Sequence, residues 1–98
     1  MATLYVTEYQ GTGKGTGGAV QVANEPRLVN QAVTFSTHAE SSAFNANTFM
    51  VRLHTDAICS FTFGVTPVAT TAMSRMVAGQ TEYFFVNPGD KVSVVDNT

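Results

Sequence analysis

Lysine is nearly missing from this chain of 98 residues: Lys14 and Lys91 are the only two, and charged residues of both signs together make up 12% of it, about half the usual share of roughly 25%. Polar character comes instead from Thr, Ser, Asn and Gln, which form hydrogen bonds at modest desolvation cost and can sit inside an interface. Exposed strand edges are usually blunted by Lys, Pro or bulges, so edges in this chain are expected to be covered rather than bare. The five basic residues stand at positions 14, 27, 52, 75 and 91, and the net charge is −2. Phosphate contacts need clustered Lys or Arg, so the composition argues against nucleic acid as a partner. A single cysteine, Cys59, excludes an internal disulfide and a multi-cysteine zinc site; among apolar neighbours it reads as a small buried hydrophobe. No apolar run approaches the ~20 residues of a membrane span, so no membrane contact is expected. No charged segment followed by an apolar one marks the N-terminus as a secretory signal, and no internal repeat is visible.

What is present is strand periodicity. At this length the chain is one domain, residues 1–98. The stretch from Phe49 to Phe63 alternates twice: Phe49, Val51 and Leu53 against Met50, Arg52 and His54, then Cys59, Phe61 and Phe63 against Ile58, Ser60 and Thr62. With Thr55, Asp56 and Ala57 between them, the two runs predict a hairpin to which further strands are added. Leu4 and Val6 alternate with Tyr5, Thr7 and Tyr9 in a good strand near the start. Next, five of the eight residues from Gly11 to Gly18 are glycine. Freezing such a segment costs about 1–2 kcal/mol per residue in backbone entropy, which predicts a mobile loop, part of an N-terminal arm over 1–23, unless a partner holds it. Val33 and Phe35 share a face, as do Val92 and Val94, while 37–47 reads as a polar connection with room for one helical turn and a lone Phe44 as an anchor at the end of the core. Asn87, Pro88, Gly89 and Asp90 form a turn in which Pro sets the first corner and Gly takes positive φ. Seven to eight short antiparallel strands with regular turn signals and no convincing helix predict an all-β domain, a small β-sandwich or jelly-roll-like barrel.

Motifs for chemistry are weak. Gly13, Gly15 and Gly18 have the spacing of a dinucleotide loop, but such a loop must open a helix, and the β-prone AVQV follows. Lys14 does not complete a P-loop, because Gly15 stands where Ser or Thr would hold magnesium. His38 and His54 lie in different elements with one carboxylate near each, Glu40 and Asp56, too few for a metal site. No G-x-S-x-G elbow appears, and Cys59 lacks the electropositive, exposed setting of a nucleophile. The sequence thus predicts no enzyme, no metal and no cofactor. In Tyr83, Phe84 and Phe85, alternation sends at least one large ring to the face opposite its neighbours, and an exposed aromatic beside few charges marks a contact surface.

The run VRLHTDAICSFTFGVTPVAT (51–70) followed by QTEYFFVNPGDKVSVVD (80–96) resembles small structural proteins of tailed bacteriophages, in particular the β-sandwich capsid decoration, or cement, proteins. The likeness covers about Thr48 to Asp96, with a weaker echo in MATLYVTEY. It implies an accessory virion protein, made in the host cytoplasm and bound in many copies to the outer surface of the head, where it bridges subunits of the major capsid protein; this chain is expected to be a homo-oligomer, either dimer or trimer. It carries no ligand residues. On the residues alone, partner contacts are expected at Tyr5, Tyr9, Gly13, Lys14, Gly15, Phe44 and Tyr83. Two other readings stand beside it. One is a phage tail, fibre or host-glycan-binding module using Tyr83, Asn87 and Asp90. The other, a cupin-like enzyme, is weakened by Val86, Asn87 and Lys91 flanking the turn where histidines would be needed.

Overall fold

The computed structural model describes residues 2–15, 18–23 and 25–98, with the side chains of 12–23 left aside. Ten strands follow in order: β1 (Ala2–Tyr9), β2 (Thr12–Gly15), β3 (Gly18–Ala23), β4 (Val29–Phe35), β5 (His38–Glu40), β6 (Met50–Thr55), β7 (Cys59–Gly64), β8 (Ser74–Met76), β9 (Thr81–Phe85) and β10 (Lys91–Asp96). Eight of them build two antiparallel four-stranded sheets, ordered β4-β1-β6-β9 and β5-β10-β7-β8, and β2 and β3 form a separate two-stranded ribbon. This is a small β-sandwich, as the alternation predicts. Leu4, Val6, Val51 and Leu53 of the first sheet meet Cys59, Phe61, Met76, Val92 and Val94 of the second in one buried core. Phe61, Phe63 and Phe84 close one end of it with ring centroids 5.3–5.9 Å apart in tilted and edge-on contacts, the arrangement that ring quadrupoles favour.

The expected hairpin at 49–63 is not there. β6 pairs with β1 and β9, while β7 pairs with β10 and β8, so the connection between them passes from one sheet to the other. Alternation reports which side chains go inward, and Val51, Leu53, Cys59 and Phe61 are buried as read, although Phe49, at the start of the first run, is 48% exposed; it is silent on whether the two strands lie side by side or face each other. The connection itself carries the answer. A tight hairpin needs positive φ at its centre, hence Asn-Gly or a similar pair, and Thr55-Asp56-Ala57 has none. Instead the buried Thr55 hydroxyl donates to Ala57 O at 2.6 Å, and Asp56 joins β1 by accepting from Thr3 N at 2.7 Å and donating its own N–H to Thr3 O at 3.2 Å.

The 37–47 connection holds no helical turn but a short strand, β5, bonded to β10. Beyond it, Ser41, Phe44 and Thr48 are buried. The Asn87–Asp90 turn forms as read, with Gly89 at φ 85° and Asp90 N donating to Asn87 O at 3.2 Å. β1 occupies the interior of its sheet, between β4 and β6. Joining the two chain ends and opening the chain before β4 would give the strand order of an eight-stranded jelly roll. The ends do lie together: Thr3 bonds to Asp56 and Asn97 N donates to Ile58 O at 3.2 Å, at the same corner.

A candidate interaction face

On the first sheet, the register lines up the outward residues in rows. Ala32, Tyr5, His54 and Thr81 form one row, Asn30, Thr7, Arg52 and Tyr83 the next, and Tyr9, Met50 and Phe85 a third. β-branched and aromatic residues hold these strands by propensity, and their inward alternates are core. Tyr5 is 46% exposed, Tyr83 54% and Phe85 72%. The Tyr5 and His54 rings stand 6.3 Å apart, and His54 Nδ1 lies 2.7 Å from Thr81 Oγ1. Between the first two rows lies an open concavity of ≈ 440 Å³, lined among others by Tyr5, Thr7, Asn30, Arg52 and His54. Arg52 makes no ion pair among the described residues, whose one salt bridge joins Lys91 to Glu40 at 3.7 Å on the other sheet. The rows themselves contain a guanidinium, an imidazole and no carboxylate.

The third row is partly closed. Tyr9 is buried, and its hydroxyl donates to Glu25 Oε2 at 3.2 Å. Burial first, then the neighbouring Glu25 carboxylate, push this phenol above its ordinary range, so it stays a neutral donor. Beneath this end of the sheet, Glu8 is wholly buried and accepts three bonds: from Asn45 N and Thr48 Oγ1 at 2.8 Å each, and from Gln31 Nε2 at 2.7 Å. The bonds from Asn45 and Thr48 tie the 45–48 segment to β1. Burial likewise raises the Cys59 thiol, against weaker opposing bonds from Thr55 and the Met76 backbone.

Of the residues expected to meet a partner, Tyr5 and Tyr83 share this face on either side of β6, and Tyr9 stands on it but covered. Gly13, Lys14 and Gly15 belong to β2, with Lys14 opposite Ala19 and Gly15 opposite Gly18; the Lys14 side chain, like Thr16 and Gly17 of the glycine-rich run, lies outside the described residues. Phe44 is packed in the core, 6.4 Å from the Phe63 ring. Of the glycan-binding set, Tyr83 stands in the middle of β9 whereas Asn87 and Asp90 form the turn after it. Reading single aromatics missed Arg52 as a member of the face; the alternation of Arg52 and His54 against Val51 and Leu53 was the signal that marks it, while Met50, in the same phase, is buried. Among the described residues no three His, Cys, Asp or Glu side chains gather closely enough to hold a metal ion. No family model, curated protein or solved structure matches the chain.

Proposed function

We propose that this chain is a non-enzymatic virion structural protein, a capsid decoration subunit that binds the outer surface of a phage head and bridges major capsid subunits through the outward face of its first sheet. One observation carries the binding role: Tyr5, Tyr83 and Phe85 stand exposed around Arg52 on a rigid four-stranded sheet. Tyr, Phe, Met and Arg are the residues enriched at interface centres, where Lys and Glu are depleted. Held by strand pairing, they lose little freedom on binding. Arg52 fits a carboxylate on the partner, and many copies on a lattice make modest single contacts sufficient. The phage setting is supported by the resemblance of Thr48–Asp96 to cement proteins.

The test is co-sedimentation of the purified chain with phage heads assembled without it. The expected result is saturable pelleting that falls at least about tenfold in Arg52→Glu, since reversing a charge opposite a carboxylate replaces attraction by repulsion. Binding to a glycan array without pelleting on heads would replace this reading by the host-glycan one.

A further inference from the structure

The four sheet edges are not alike. β5 and β8 have three residues each, too short to template another strand. β4 is flanked by its own chain, since Ser42 N donates to Gln31 Oε1 at 2.9 Å and Gln31 Nε2 donates to Ser42 O at 3.3 Å. β9 is left. It carries no Pro, no Lys and no bulge, and among the described residues β6 is its only strand partner.

The backbone of β9 has a definite parity. Gln80 O accepts from Thr55 N at 3.3 Å, and Val86 N donates to Phe49 O at 2.9 Å, both toward β6. In an antiparallel ladder alternate residues turn their N–H and C=O groups to opposite sides. Thr81, Tyr83 and Phe85 therefore aim theirs away from β6, and these groups have no partner among the described residues.

We infer that β9 is a twofold pairing strand, which joins antiparallel to β9 of a second copy of this chain with Tyr83 opposite Tyr83. That register sets Thr81 opposite Phe85 and Glu82 opposite Phe84. All the outward N–H and C=O groups of Thr81, Tyr83 and Phe85 in both copies are then bonded at once, as three hydrogen-bonded residue pairs. A shift by two residues in either direction leaves the end residues of both strands without a partner. The only charge on the strand, Glu82, meets a phenyl ring and never its own counterpart, so the strand is compatible with itself. On the outer face the two Tyr83 rings become direct neighbours, each flanked by the other copy's Thr81 and Phe85. Exposed Val77 lies beside the start of β9, its N–H donating to Gln80 Oε1 at 2.9 Å and its carbonyl accepting from Gln80 N at 3.1 Å. The product is one continuous eight-stranded sheet whose two aromatic faces look the same way. This goes beyond head binding and does not depend on it, because it is a property of the chain alone.

The experiment is sedimentation equilibrium of the whole chain from micromolar to hundreds of micromolar, with four variants. The expected result is a reversible monomer–dimer equilibrium. Tyr83→Pro removes only an outward N–H and keeps every bond to β6, and it should weaken dimerisation at least about tenfold while leaving the circular dichroism of the monomer unchanged. The register is read by cysteines. Tyr83→Cys should form a disulfide with itself under mild oxidation, because opposed residues of a hydrogen-bonded pair have Cα atoms about 5.5 Å apart. Thr81→Cys should not self-link, being about 13 Å from its own copy along the strand, but should link to Phe85→Cys. A chain monomeric throughout that range overturns the inference. So does a dimer that survives Tyr83→Pro and leaves Tyr83→Cys reduced.

Discussion

On the second sheet Ser60 and Ser93 point outward yet are wholly buried. The β7–β8 loop lies across them: Ala69 N donates to Ser93 Oγ at 2.9 Å, and Asn97 Nδ2 donates to Ser60 Oγ at 2.8 Å and to Thr71 O at 3.3 Å. On the first sheet Tyr5, Arg52 and Tyr83 hold the same kind of outward position with far larger side chains, and two of the three are about half exposed. Small hydroxyl residues let the chain roof one face with its own backbone. Bulky rings and a guanidinium leave the other for a different molecule. Because burying polar backbone demands partners, the roofed face owes its stability to specific hydrogen bonds, while the bare face contributes little to folding.

That contrast can be broken most strongly from beneath the bare sheet. Glu8→Ala should cost about 3 kcal/mol, since it removes the acceptor shared by the buried Thr48 hydroxyl and two part-buried donors and leaves a cavity in the wholly buried Glu8 site, and lower the midpoint of thermal unfolding by more than about 10 °C. A loss below about 1 kcal/mol would mean that the 45–48 segment is not held through Glu8. Next comes the roof: Ser93→Ala leaves the buried Ala69 N–H unpaired, for an expected loss of about 1–2 kcal/mol by urea unfolding. Tyr5→Ala, on the bare face, should cost less than about 1 kcal/mol, the worth of one cross-strand pair. Equal losses for Ser93→Ala and Tyr5→Ala would erase the distinction between the faces.

The smallest effect is alkaline. Burial raises the folded Cys59 thiol above its unfolded value. The stability it lends is complete below the unfolded thiol's range, near pH ~8.5, and is lost as pH rises through the folded value. Cys59→Ala should flatten stability against pH in that alkaline window and leave the slope below it unchanged. The native thiol should react with an aromatic disulfide reagent only at the rate of unfolding.

The strands and their inward faces were legible because period-2 alternation follows from the pleat itself. Leu4 with Val6, Val33 with Phe35 and Val92 with Val94 all point to the core as read. Partners were not legible. The 49–63 run shows why, since inward apolar faces are common to strands lying in one sheet and strands facing each other across two. β5, only three residues long, is too short for periodicity to reveal. Of the candidate face, Tyr5 and Tyr83 could be picked from the sequence as exposed rings, but the rows that bring them to Arg52 depend on the β1–β6 and β6–β9 registers, which are non-local. Glu8 could have been found locally: it shares its alternation phase with Leu4 and Val6, and a carboxylate on an apolar face must find donors.

Thr3 and Asn97 are both fastened at the Asp56–Ile58 corner, whereas the β2–β3 ribbon and the Phe85 row leave from the opposite end. A reporter, affinity handle or antigen grafted to either terminus would therefore hang from the pole remote from the Phe85 row, beyond the Tyr5 end of the sheet.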